Sequence, residues 1–249
     1  MAELTQSEIH PFIRKIETIA LFALSEAERA ALAALPMQVA VLEPYQDIVR
    51  EHERPARSFA MLEGLTCTYK TTRAGKRQVM AYHVPGDVPD FQSLHLEVLD
   101  ISIGTVTPCR VGFVRHETLR ALFRAHPRLV DAFWRATLID AGLCREWMLN
   151  NGRRESYARM AHLFCELLMR LEAVGLAQGN ACELGLTQPE LGDALGISTV
   201  HVSRTLKELR EAGLITLSGG RLAVHDRARL AAAAEFDPTY LHLRDPKTH

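Results

Sequence analysis

The 249-residue chain predicts an α+β fold in three parts: an N-terminal antiparallel β-barrel, a long helix, and a C-terminal winged helix-turn-helix. Three observations predict it. Between Met37 and Arg115 short alternating runs are separated by turn signals. From Leu129 to Asn150 apolar residues recur four and three apart. From Leu186 to Val224 two capped helices are followed by a β-hairpin. The expected divisions are 1–125 for the barrel with its flanking helices, 126–152 for the long helix, and 153–249 for the winged helix.

The barrel runs are Gln38–Leu42, Asp47–Arg50, Phe59–Leu62, Thr66–Lys70 and Gln78–Tyr82. Arg73-Ala74-Gly75-Lys76 makes a hairpin, Pro85-Gly86-Asp87 another loop, and Ile101 to Phe113 supplies further strands. In the long helix, Val130, Trp134, Thr137, Ala141, Cys144 and Met148 form a heptad seam, which Phe133 and Leu138 widen. Such a seam suits pairing of two copies, and the buried face of a monomer's helix has the same pattern. After Asn151-Gly152 a further helix runs from Glu155 to about Val174, with Arg153 and Arg154 near the hinge.

Thr187 caps the next helix while Glu190, three residues on, reaches back to the cap's own N–H, and Pro189 sits in the first turn, where its missing donor costs nothing. Leu191 and Leu195 recur at helical spacing, Gly196 supplies the turn, and Ser198 caps a second helix beginning at Thr199. Val202, Leu206 and Leu209 face inward, and Gly213 ends the helix. The opposite side carries Val200, Arg204, Lys207 and Glu211, flanked by Thr199 and Ser203, with His201 in the first turn. A helix of this kind fits the DNA major groove, and Arg204 is the candidate to read guanine. Leu214–Leu217 and Arg221–Val224, joined by Ser218-Gly219-Gly220, form the wing. Arg221 there is either a phosphate contact or an ordinary exposed strand residue. The candidate DNA contacts are Thr187, Ser198, Thr199, Val200, His201, Ser203, Arg204, Lys207, Arg221 and Arg154.

The stretch GISTVHVSRTLKELREAGLI, with Ser203-Arg204 at its centre, resembles the recognition helix of the Crp/Fnr family of bacterial transcription regulators, and the resemblance covers nearly the whole chain. It implies a jelly-roll barrel of the cyclic-nucleotide-binding type, a dimerisation helix, and a homodimer bound to palindromic double-stranded DNA, with RNA polymerase as a partner. Two departures matter. Val200 stands where the best-studied members carry a glutamate, and an apolar side chain cannot accept a hydrogen bond from cytosine. The segment after Gly86-Asp87 has no arginine before Arg110 and offers Asp100 instead, which disfavours a cyclic phosphate as effector. No cysteine precedes Cys67, which argues against the iron–sulfur cluster of some relatives.

A net charge of −1 disfavours a nonspecific nucleic-acid coat, and specific DNA binding calls for a local basic face, which Arg153, Arg154, Arg159, Arg204, Lys207, Arg210 and Arg221 can supply. No signal-peptide pattern or membrane-spanning run occurs, and a cytoplasmic protein without contact to a membrane is expected. Five cysteines, an odd and widely spaced set, imply no disulfide framework; Cys144 on the seam and Cys182 ahead of the helix-turn-helix are the candidates for redox sensing. No cofactor and no metal are called for. The rival class is an enzyme: His95-x-Glu97 with His83 or His116 would make a cupin-like iron site, and His83, His95 or Cys67 would serve a haem sensor. No residue pattern names an effector or decides between activation and repression.

Overall fold

The computed structural model describes residues 6–244. Helices α1 (Gln6–Ile19) and α2 (Glu26–Ala33) precede two antiparallel sheets. One sheet has the order β1 (Gln38–Leu42), β7 (Cys109–Arg115), β3 (Arg57–Glu63). The other has the order β2 (Asp47–Val49), β6 (Ser102–Thr105), β4 (Thr66–Thr71), β5 (Arg77–His83). Pairing is set by contacts such as Gln38 with Phe113, Phe59 with Phe113, and Cys67 with both Tyr82 and Gly104. Val49, Phe59, Met61, Ile103, Cys109 and Val111, contributed by both sheets, are buried together with Leu99. These side chains form one hydrophobic core drawn from both sheets.

Helices α3 (His116–Ala125) and α4 (Pro127–Arg153) follow, and α4 carries two apolar stripes. Leu129, Ala132, Phe133, Ile139, Leu143 and Trp147 are buried. Val130, Trp134, Leu138 and Met148 are 44%, 61%, 53% and 75% exposed, Ala141 and Cys144 are exposed with them, and Thr137 is half-buried. Phe133, expected to widen the open seam, instead packs against Phe12, Phe91 and Phe123 at ring distances of 6.2, 5.0 and 5.1 Å. One residue step turns a helix by about 100°, enough to move position 133 from the face of 134 to the face of the core.

The C-terminal part comprises α5 (Ser156–Ala173), β8 (Ala177–Gln178), β9 (Ala181–Glu183), α6 (Gln188–Leu195), α7 (Thr199–Glu211), β10 (Ile215–Ser218), β11 (Arg221–Val224) and α8 (Arg227–Ala234). The expected hairpin is the edge of a four-stranded sheet, order β10, β11, β9, β8. Beyond α8, a short 3-10 turn at Pro238–Leu241 returns the chain to the N-terminal part. Tyr240 donates its hydroxyl to Glu166 Oε2 (2.9 Å), and Arg244 donates from its backbone N–H to Thr18 O and from Nη1 to Ala20 O, both at 2.9 Å.

A buried polar chain joins these parts. Lys15 Nζ lies 2.9 Å from Asp87 Oδ1, Arg170 Nη2 donates to Asp87 Oδ2 at 2.7 Å, and Arg170 Nη1 donates to Glu166 Oε1 at 3.2 Å. Trp147 Nε1 donates to Glu166 in turn, at 3.0 Å to Oε2. Burial pushes the Asp87 carboxyl up, but Lys15 and Arg170 outweigh it and hold that group well below the ordinary carboxylate range. Glu166 goes the other way, raised by burial against the opposing pull of Arg170.

His83, beside this chain, shares a 2.7 Å hydrogen bond between its Nε2 and Thr68 Oγ1. Burial lowers its pKa to about 4, with Arg170 and Lys15 adding to the shift and Asp87 opposing it. A folded-state pKa below the unfolded value means that stability is full above about pH 6.5 and declines as pH falls toward 4. Relative to His83→Gln, the wild type should lose on the order of 2 kcal/mol on going from about pH 7 to about pH 5. Urea unfolding of both proteins at each pH measures this, and a constant gap would refute it. The comparison removes the opposite slope of Asp90, whose buried carboxyl is pushed up to about 7 while it accepts from the Phe59 N–H.

Candidate nucleic-acid interface

The helix-turn-helix forms by the local signals that mark it. Thr187 caps α6: the Glu190 N–H donates to Thr187 Oγ1 at 3.5 Å, and the Thr187 N–H donates to Glu190 Oε2 at 2.6 Å. Gly196 ends α6 at φ +65°, a left-handed conformation that favours glycine. Ser198 then accepts from the His201 N–H at 3.3 Å and starts α7. Val202, Leu206 and Leu209 anchor α7 with 0–1% exposure.

On the outer side of α7, Thr199, Val200, His201, Ser203, Arg204 and Lys207 are all exposed. Arg204 has no hydrogen-bond or ion-pair partner among the described residues. Lys207 lies 3.6 Å from Glu211 one turn on, an exposed pair that costs little to separate. His201 Nε2 shares a 2.9 Å hydrogen bond with Ser156 Oγ, which ties the first turn of α7 to α5. Ser198 and Thr187 spend their hydroxyls on caps, so their place is at the helix starts beside the exposed face. Arg221 projects from the wing and holds Glu183 at 2.9 Å, both side chains being open to solvent.

Arg154 departs from expectation. Its side chain is 9% exposed and donates to Glu146 Oε1 at 2.7 Å, so its charge is neutralised inside the α4–α5 hinge and is not presented to a phosphate. Arg159 is also spent internally, donating to Leu195 O and, at 2.9 Å, to Arg154 O. The basic face is thus narrower than composition suggests. Arg153 and Arg204 are its exposed arginines without an internal partner among the described residues, while exposed Arg210 donates to Leu217 O at 3.1 Å.

The sequence held no sign that α6 rests on the N-terminal sheet. The last carbonyls of a helix lack internal partners. Here Gln78 Nε2, from β5, donates to Asp193 O and Ala194 O at 3.0 and 3.2 Å, and Asn151 Nδ2 donates to Ala194 O at 3.1 Å. Tyr82, also on β5, donates its hydroxyl to Glu190 O at 2.9 Å. A glutamine and a tyrosine in an alternating strand are ordinary residues, and only tertiary contact reveals them as a clamp. An i,i+4 pair such as Glu166 and Arg170 inside an apolar helix face was the one readable signal of the buried chain.

Other candidates separate. Cys144 is exposed on α4, whereas Cys182 is buried in β9, where burial pushes its thiol up to about 12. A neutral, enclosed thiol is a poor nucleophile, so Cys182 is not placed for oxidation beside DNA. His83 bonds Thr68, His116 Nε2 bonds Ser93 Oγ at 3.0 Å, and Glu97 lies 3.8 Å from Arg54. His95 meets the Phe91 ring at 6.4 Å, and among the described residues no three His, Cys, Asp or Glu side chains gather as a metal site. Among the same residues no helix is long and apolar enough to cross a membrane.

The family model for a Crp-like helix-turn-helix domain matches residues 158–233. The chain is 26% identical over 192 residues to the nitrogen fixation regulation protein FixK of Azorhizobium caulinodans, covering 77% of each chain. It is 27% identical over 182 residues to the transcriptional activator protein FnrL of Cereibacter sphaeroides, covering 72% of this chain and 73% of that one. Among solved structures, FixK2 from Bradyrhizobium japonicum superposes with a TM-score of 0.72 at 24% identity, over 80% of this chain and 98% of that one, a likeness of fold.

Proposed function

Since this chain is a transcription regulator of the Crp/Fnr type with a Crp-like helix-turn-helix domain, we propose that it binds a two-fold symmetric DNA site as a cytoplasmic homodimer and changes transcription through RNA polymerase. The observation that carries this reading is the exposed face of α7, where Arg204 stands without an internal partner. Arg204 hydrogen-bonds a guanine, Thr199 and Ser203 meet bases or phosphates, and Val200 packs on a thymine methyl. Arg221 supplies a phosphate contact from the wing. In this reading residues 1–125 form a jelly-roll barrel, 126–152 the dimerisation helix and 153–249 the DNA-binding part. The mechanism is binding rather than catalysis.

Pairing is supported by the second stripe of α4. Val130, Trp134, Leu138 and Met148 leave apolar surface in water along one side of a helix whose other side is already buried. Pairing two copies along it relates the recognition helices by a two-fold axis and sets them about one helical turn of DNA apart. Leu138→Glu combined with Met148→Glu replaces two apolar contacts per copy, each worth about 1.5–3 kcal/mol when buried, with like charges. The variant should sediment as a monomer at concentrations where the parent is a dimer, and an unchanged dimer would refute this assignment of the seam.

The whole reading is tested by selecting bound fragments from random double-stranded DNA at near-physiological salt, where nonspecific binding is weak. Enrichment of a palindrome supports it, and binding without sequence preference counts against it.

A further inference from the structure

Between the 3-10 turn Phe91–Leu94, α3 and the first turns of α4 lies an open cavity of about 390 Å3. Much of its lining is apolar, from Phe91, Leu94, Phe123, Val130 and Trp134. Phe91 is fixed there by an edge-on contact with Phe123, ring centres 6.0 Å apart. The lining charges are all basic or neutral-to-basic, namely His95, Arg120 and Arg124, and no carboxylate is among them. Arg120 is held in place by donating to Leu94 O at 2.9 Å. Arg124 has no hydrogen-bond or ion-pair partner among the described residues.

An aromatic floor with a cationic rim is a recognition pattern for a molecule that is apolar at one end and anionic at the other, and the volume falls in the range of small-molecule sites. All of its lining residues belong to the 3-10 turn and its flank, α3 or α4, and none to a strand, so the cavity lies on the helical side of the N-terminal part. We propose that it binds a small amphipathic carboxylate, with the hydrocarbon or aryl part on Phe91, Phe123 and Trp134 and the carboxylate on Arg120 and Arg124. Val130 and Trp134 also begin the exposed stripe of α4, so occupancy alters pairing of the two copies. That second part rests on the dimer reading above; binding itself does not.

The chain has two tryptophans, and Trp147 is buried against Glu166, so the exposed Trp134 is the natural reporter. Decanoate titrated into the full-length protein should give a saturable fluorescence change that vanishes in Trp134→Phe. Arg124→Ala, which removes no hydrogen bond or ion pair among the described residues, should weaken apparent affinity three- to tenfold, and Arg120→Ala with Arg124→Ala at least tenfold, with melting curves checking the fold. Uncharged decanamide should bind at least tenfold more weakly than decanoate. An equal response to the two compounds, or no saturable change at all, overturns the site. Sedimentation of the same samples should register a shift in the monomer–dimer equilibrium of at least threefold. A protein that stays monomeric while still binding decanoate through the arginines refutes the dimer reading and leaves the site standing. A response confined to the Leu138→Glu, Met148→Glu variant means that a second copy fills the cavity in the wild type, which overturns the proposal.

Discussion

Arg204→Ala is expected to weaken binding to the selected palindrome by about 1–3 kcal/mol for each half-site, the worth of a good bidentate contact to guanine. The size follows from its setting. The side chain is exposed and has no partner among the described residues, so no internal ion pair must be broken before it reaches a base. The same freedom means that its removal leaves the fold intact, because α7 is anchored through Val202, Leu206 and Leu209 on the opposite side. Titrating wild type and variant against the palindrome, against the palindrome changed at one base pair, and against random DNA measures the effect. Preference should relax at one position in each half-site while random-sequence binding changes far less. Equal losses on all three DNAs would make Arg204 a phosphate contact instead.

Arg170→Ala is expected to destabilise the protein by about 3–5 kcal/mol, the range for removing one partner of a buried ion pair. Arg170 sits between Asp87 and Glu166 and is 2% exposed. Its loss leaves Lys15 and the Val84 N–H as the partners of Asp87 and deprives Glu166 of its cation. Urea unfolding at neutral pH measures the loss, and a cost below about 1 kcal/mol would show that water or repacking replaces the guanidinium. Arg170→Met combined with Glu166→Gln should recover part of it, since Asp87 keeps Lys15 and Glu166 no longer leaves a carboxylate buried without its cation. Because Asp87 lies in the loop just after β5 and Arg170 lies in α5, the variant is also expected to loosen the two ends of the molecule from each other, read as faster amide exchange in α6 and β5.

Much of the winged helix is legible in the sequence. A Thr-x-x-Glu cap, a left-handed glycine and an i, i+4, i+7 apolar row act within one or two helical turns, so their geometry is the same in the chain as in the fold. The strands were legible for a similar reason, since alternation along a strand reflects its two faces. Arg154 and Cys182 lie elsewhere than their sequence context suggests, because charge and sulfur at a position say nothing of what stands opposite. Only the approach of Glu146 turned Arg154 inward, and only the sheet joining β9 to the wing enclosed Cys182. The seam of α4 was legible as a period but not as a direction. Phe133 and Trp134 are equally apolar neighbours, and the packing of Phe12, Phe91 and Phe123 decided which of them entered the core.

By itself, then, the sequence determined the order of the elements, the capping of α6 and α7, and the residues on the outer face of the recognition helix, all of which depend on interactions between residues close along the chain. The tertiary structure alone decided which charges remain free, that α6 is clamped to β5, and that a basic, aromatic cavity opens beside the stripe of α4. Those outcomes depend on groups distant in sequence meeting at hydrogen-bond or van der Waals range, and no local period carries that information.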